Sequence, residues 1–458
     1  MLAATWSAVL AGTVVLLLAG CPASSDDVRP PRDQFTFPSG LALSPDESAL
    51  FVSNSNSELR YDSGSVLVVD LDAVDTIIAD WLTEKKMPAG CQTNALRPTL
   101  LECDESLVID PDRGVRIGNF VTDIDVQQVA PDHLRVIAAV RGDPSITWID
   151  YITPPGKDRA ELSCAGSEEF PLCDVSNRLV SLRDDAEQSL ISEPFGVHVG
   201  KAENRDFALI THLSLASVTL VDLPRADGAS ADAVPAPRLT DSIVGLFAAD
   251  PGTGARVAVG VAGRPSPDGT ELLYVTSRSE ERVRILYVGE SENEAVLVPV
   301  SSFTLDGVQP SDDARGITFN EDGSRAYIVN RSPAMLHIID TTGDPFPVNQ
   351  TVGFIELCRE ASNVEASTQL TGRGERVYVA CFLGGQVWVL DPVQGTDPIA
   401  IVEVGRGPHA MALSEDRRRL YVTNILEDTI AVIDLTPGAP TENRMVLRLG
   451  TPRQSGDE

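Results

Sequence analysis

The stretch LYVTNILEDTIAVID, residues 420–434, is one copy of a unit that recurs along the chain. AYIVNRSPAMLHIID (326–340), VYVACFLGGQVWVLD (377–391) and ALITHLSLASVTLVD (208–222) repeat its plan. In each, ten residues separate the end of the first apolar run from the closing Asp: Asn424 to Asp434, Asn330 to Asp340, Cys381 to Asp391, His212 to Asp222. VIAAVRGDPSITWID (136–150) and LYVTSRSEERVRILY (273–287) are degenerate copies. LFVSNSNSELRYDSGSVLVVD (50–70) carries six extra residues in its turn. That makes seven copies in 458 residues, a length beyond the usual single core.

Within each run the apolar residues alternate with period two, which predicts a pair of strands joined as a hairpin. Upstream of most pairs lies another short strand and a turn rich in Pro-Asp or Glu-Asp, as in GLALSPDESA, GITFNEDGSR and AMALSEDRRR. Downstream lies a fourth strand, such as TVGFIEL (351–357) or MVLRL (445–449). Each unit is therefore a four-stranded antiparallel meander. The shortest period is 43 residues, Asp391 to Asp434, the spacing of propeller blades. The expected fold is all-β: a seven-bladed β-propeller of four-stranded antiparallel blades over residues 35–450. Insertions at 73–113 and 152–177 lengthen the early repeats. Only QFTF (34–37) is spare at the N-terminus, so ring closure is expected to rest on side-chain packing between blades 1 and 7.

Tyr421-Val422-Thr423-Asn424, with Phe51-Val52-Ser53-Asn54 and Tyr327-Ile328-Val329-Asn330 as variants, resembles the YVTN repeat. That family forms seven-bladed propellers, often on exported or surface proteins, and its resemblance implies fold rather than activity. The aromatic position suits packing between blades.

The first 21 residues, MLAATWSAVLAGTVVLLLAGC, are apolar and end at Cys21. The run is shorter than a comfortable membrane span and fits a secretory signal. Leu18-Ala19-Gly20-Cys21 resembles a bacterial lipobox, which implies cleavage after residue 20 and a lipid on the Cys21 thiol. Residues 21–34 then read as a disordered tether and 451–458 as a disordered tail. The expected address is the cell envelope, lipid-anchored, with the outer membrane as the expected site. An exported chain keeps disulfides. Cys91, Cys103, Cys164, Cys173, Cys358 and Cys381 allow fifteen pairings. Proximity in sequence favours Cys91 with Cys103 and Cys164 with Cys173, leaving Cys358 with Cys381.

A formal net charge of −31 argues against nucleic acid as a partner. The chain reads as a monomer whose partner is an envelope protein, a glycan or a small ligand. No metal or cofactor is expected: there is no zinc spacing, haem-attachment motif or nucleotide loop, and Asp123/Asp125 and Asp312/Asp313 lack the calcium-loop pattern. The Asp closing each repeat recurs once per blade, as a turn residue would.

Loops before first strands and after second strands build the channel mouth of a propeller. His212, Arg315, Arg331, His409 and Asn424 are the candidate ligand residues there. The competing roles are backbone capping for the asparagine and ion pairing for the arginines. The residues lean towards a binding or scaffold module. The rival is an enzyme of the lactonase type, which requires His212, Arg315 and His409 to share one pocket.

Overall fold

The computed structural model describes residues 28–453, except 165–167, 182–188, 203–204, 227–233, 251, 253, 267–268, 306–312 and 368–373. The apolar leader, Cys21 and the chain beyond 453 lie outside the described residues.

Seven four-stranded antiparallel blades form a ring, the four blade strands of each drawn from one stretch of chain and ordered from the inside outwards. The inner strands are Pro38–Leu43, Val121–Ala130, Pro194–Ala202, Ala258–Arg264, Ala314–Phe319, Ala361–Ser367 and Pro408–Ser414. Each touches the inner strands of both neighbours, and the seventh touches the first. The fold is thus the seven-bladed propeller that the repeats predict.

Each blade packs between two others, so its middle strands are covered on both faces. The second strand of blade 1, Ala49–Asn54, is buried throughout. Tyr274, Tyr327, Tyr378 and Tyr421 fill the spaces between blades 4 and 5, 5 and 6, 6 and 7, and 7 and 1. The tight turns after the inner strands use a left-handed residue: Glu47, Gly269 and Gly323 have φ of 52°, 78° and 67°. In two of them the preceding aspartate caps the turn, Asp46 to Ser48 N at 3.2 Å and Asp322 to Ser324 N at 2.9 Å.

The repeated Asp divides its work. Asp340, Asp391 and Asp434 accept from the backbone N–H two residues on, and Asp70 caps a helix. Asp150 and Asp222 instead pair with Arg135 and Arg205 on the adjacent second strand.

In every blade but the second, where the strand ends in Val140, the residue ending the second strand ties the chain entering that blade. Asn54 accepts from Thr36 N, and Asn330 from Asp313 N, at 3.0 and 3.2 Å. Ser277 donates to Val257 O and Asn424 to Val404 O, at 2.8 and 3.1 Å. His212 does the same through Nδ1 to Ser192 O at 3.2 Å. In blade 6 the tie is covalent, Cys381 to Cys358. The other disulfides are Cys91–Cys103 and Cys164–Cys173.

Ring closure has the expected packing between blades 1 and 7, and strand pairing from the blade 1 insertion adds to it. The blade 1 insertion begins with a helix, Leu71–Leu82, whose Leu71, Val74, Ile77 and Ile78 are buried in the core shared by blades 1 and 7. The insertion then crosses to blade 7. Leu101–Cys103 pairs in parallel with the outer strand Arg444–Leu449, and Cys91–Thr93 pairs with Leu101–Cys103. An ion pair, Arg448 to Glu102 at 2.8 Å, reinforces the joint. A polar insertion hides this, because two three-residue strands carry almost no periodic signal.

Part of the expected tether and tail lies against the body. Arg32 donates to Pro111 O at 3.0 Å and pairs with Glu169, and Arg29 pairs with Glu168. Arg453 pairs with Glu58 and stacks on Phe37.

Because the His212 position accepts Asn in three other blades, His212→Asn should keep stability within about 1 kcal/mol in urea unfolding. His212→Leu removes both ring contacts, to Ser192 O and to Thr219 Oγ1, leaving the Thr219 hydroxyl only Ser242 Oγ at 3.1 Å, and should cost about 2 kcal/mol. Equal losses in the two variants would remove the tether account.

Candidate ligand site at the channel mouth

The inner strands align residue by residue: PSGLAL, VTDIDV, PFGVHV, AVGVAG, ARGITF, ASNVEA and PHAMAL. Each carries a register shift at its start. The bulge turns the second residue towards the mouth and lets the third approach the next blade. That third residue is Gly in four blades; a Cβ on Gly260 would sit 2.0 Å from Arg315 O.

Around this level runs a belt of bonds from each blade to an inner-strand carbonyl of the next. Ser39 donates to Val121 O (2.8 Å), Thr122 to Phe195 O (2.7 Å), Thr211 to Val259 O (2.6 Å) and Thr276 to Arg315 O (2.9 Å). Arg331 Nε reaches Ala361 O at a long 3.5 Å, and Ser362 donates to Pro408 O at 3.2 Å. His409 Nδ1 donates to Ser39 O at 3.0 Å and closes the circle.

Inside the belt opens a cavity of about 540 Å³. Arg315, Arg331 and His409 line it, with Phe37, Phe195, Phe382 and, on blade 2, Asp123. His212 and Asn424 do not: both are fully buried in the blade-entry ties. Burial pushes His212 down to about 4, so it is a neutral structural imidazole. The three residues required by the enzymatic rival are therefore not gathered in one pocket; two of them are. A larger cleft of about 640 Å³ opens between blades 5 and 6, but its Asp322 and Asp340 are engaged in turns.

The blade 5 wall is cationic. Arg315 and Arg278 share Asp313, at 2.6 and 3.4 Å, and Arg331 pairs with Glu360 at 2.9 Å. Among the described residues three guanidinium groups thus face two carboxylates. Burial pulls Arg315 down to about 10, against the attraction of Asp313, and the repulsion of Arg331 and Arg278 adds to it. His409 is held below its usual value by burial and by the same arginines. It is neutral near pH 7. Since Nδ1 must carry the proton that Ser39 O accepts, Nε2 is left as an acceptor.

The opposite side is acidic. Asp123 and Asp125, on the blade 2 inner strand, accept from Val197 N and Val199 N of blade 3 at 2.9 and 2.7 Å. Glu365 enters from blade 6. Burial raises Asp123 to about 7 and Glu365 to about 8, and the charges of Asp123 and Asp125 contribute to the rise at Glu365. Farther along the channel His198 bonds Glu271 at 2.8 Å; burial works against its charge, but Glu271 holds it above the usual value. Among the described residues no group of three or more His, Cys, Asp or Glu could hold a metal ion.

No family model matches the chain, and no curated protein matches it. Solved structures share its fold. Sqt1 of Saccharomyces cerevisiae superposes with a TM-score of 0.50 at 7% identity, covering 93% of this chain and 91% of its own. The β-propeller domain of Cps50 (Swd1) from Myceliophteria thermophila gives 0.49 at 9%, covering 85% and 93%. The periplasmic gluconolactonase PpgL of Pseudomonas aeruginosa gives 0.46 at 16%, covering 71% and 85%. At these identities the likeness is one of fold.

The arrangement can hold an anion against Arg315 and Arg331 and accept a proton-bearing group at His409 Nε2. Sequence reasoning missed Asp123 and Glu365 as cavity and channel groups. The signal was present: in the aligned inner strands, Asp123 stands where four blades have Gly.

The raised Glu365 makes a signed prediction. Its contribution to stability is complete below about pH 4.5 and is lost as pH rises towards about 8. Glu365→Gln should leave unfolding unchanged near pH 4 and add about 2–4 kcal/mol near pH 8.5. A gain equal at both pH values would contradict the buried-acid account.

Proposed function

We propose that this chain is an exported, lipid-anchored propeller of the bacterial cell envelope whose channel mouth binds a small anionic molecule. The single observation behind the ligand class is the charge of the blade 5 wall. In a protein of net charge −31, Arg315 and Arg331 line the mouth, Arg278 of blade 4 shares Asp313 with Arg315, and among the described residues the three have two carboxylates, Asp313 and Glu360. A ligand carboxylate or phosphate would supply the missing negative charge and form charge-assisted bonds with planar guanidinium donors. Phe37, Phe195 and Phe382 offer apolar surface for its body.

Export is supported by three disulfides, which persist in oxidising compartments. The YVTN-like repeats and the lipobox at Cys21 support surface anchoring. A scaffold role for an envelope protein or glycan is compatible with the same anchored ring. Lactone hydrolysis at the mouth is the second reading. The unprotonated His409 Nε2 beside Arg315 favours it, since a neutral imidazole can accept a proton from water. Among the described residues no carboxylate bonds His409, whose Nδ1 is occupied by the belt.

Calorimetric titration with acetate, succinate, citrate, inorganic phosphate and neutral glucose tests the ligand class. Anions should bind and glucose should not. Arg315→Gln and Arg331→Gln should each weaken binding by about 10- to 100-fold, the worth of one charged hydrogen bond. Indifference to ligand charge would overturn the reading.

Anchoring has its own test. Cys21→Ala should abolish fatty-acid labelling and move the protein from the membrane to the soluble exported fraction. Continued membrane attachment would count against lipidation.

A further inference from the structure

The cavity at the mouth has two charged walls of opposite sign. Arg315 and Arg331 stand on blade 5, and Asp123 stands on blade 2, across the seven-membered ring. We propose that the mouth ligand is zwitterionic, its anionic group on Arg315 and Arg331 and a protonated amine reaching Asp123 on the far wall. This rests on the anion-binding reading and names the chemistry of the ligand's other end.

The argument turns on what the acids lack. Among the described residues most buried carboxylates have a cation beside them: Asp206 has Arg225, Asp391 has Arg376 and Asp434 has Arg419. Among those residues Asp123 has none. Its hydrogen bonds come from the backbone amides of Val197 and Ile124. Asp125 likewise accepts from Val199 N and Val126 N. Glu365 has no hydrogen bond or ion pair among the described residues, and it feels the charges of both aspartates. Three carboxyl groups are thus gathered in the channel beside a cavity, with the His198–Glu271 pair beyond them as a nearly balanced unit. Burial and mutual repulsion make these carboxyls resist ionisation; His198 opposes this at Asp125 but is not among the charges acting on Asp123 or Glu365.

The missing cation is organic. A metal ion needs several convergent ligands, and among the described residues no such set exists. An ammonium group needs only acceptors, which Asp123 provides at the cavity wall. The belt spaces the two walls rigidly, so the ligand is selected by the distance between its charged ends. The cavity volume suits a small molecule with a short apolar body lying against the phenylalanines. When the amine arrives, Asp123 ionises and its proton passes to solvent, while the ligand ammonium keeps its own protons.

Calorimetry of the purified protein near pH 7, in buffers of different ionisation enthalpy, tests this. The probes are the ω-amino acids from glycine to 6-aminohexanoate, the matching alkanoates and the matching alkylamines. At one chain length the amino acid should bind at least about tenfold tighter than its alkanoate and release protons. Asp123→Asn should reduce the amino acid to the alkanoate's affinity, abolish proton release and leave alkanoate binding intact. If that variant melts early, the wild type decides: proton release on amino-acid binding should vanish near pH 9, where Asp123 is already ionised, and undiminished release there would overturn the contact with Asp123. Equal affinity of amino acid and alkanoate at every length would overturn the zwitterion and leave the anion site standing. Binding of alkylamines alone, or of no probe, would overturn both.

Discussion

One bond, repeated around the ring, holds the mouth together: a side-chain donor on each blade reaches an inner-strand carbonyl of the next. Each such bond contributes about 1 kcal/mol net, but leaving its carbonyl unpaired in a dry seam costs more. The residues that make it differ from blade to blade. Thr211 and Thr276 donate from the second strand. Blades with Ala139, Val329 and Ala380 at that place donate instead from Thr122, Arg331 and Ser362. The constraint is kept while the chemistry varies, and in four blades the glycine at the third inner-strand position lets the backbones approach closely.

The belt also decides the chemistry of the site. His409 is committed to it through Nδ1, which fixes the tautomer and presents Nε2 as an acceptor. The Arg315 carbonyl is held by Thr276, so its guanidinium starts from a fixed backbone. With these anchors set, charge is distributed by blade: cations from blade 5, acids from blades 2 and 6. Desolvation then sharpens both sides, pulling Arg315 down and pushing Asp123 and Glu365 up. A cavity whose walls resist their own charges is prepared for a ligand that brings the complements.

Much of this was readable from local pattern. The period-two runs, the Pro-Asp and Asp-Gly turns and the ten-residue spacing are interactions among near neighbours, and they account for the blades. The disulfide partners follow from proximity and from the repeat. His212 and Asn424 show the limit of that reasoning. Their position at the end of a second strand was right, yet a polar residue there turns inward to bind the incoming chain. Proximity to the mouth in sequence terms did not mean exposure to it.

The amino-acid sequence alone determined the number of blades, their four-stranded make-up and the set of residues able to reach the mouth. Those features depend on side-chain alternation and turn chemistry within some forty residues. The tertiary structure decided everything that depends on curvature and on long loops. It set Asp123 across from Arg315, placed Glu365 where no cation among the described residues pairs with it, and sent the Cys91–Cys103 hairpin to the last blade. Such pairings join residues separated by several repeats. No periodicity encodes them, because they exist only once the ring has closed.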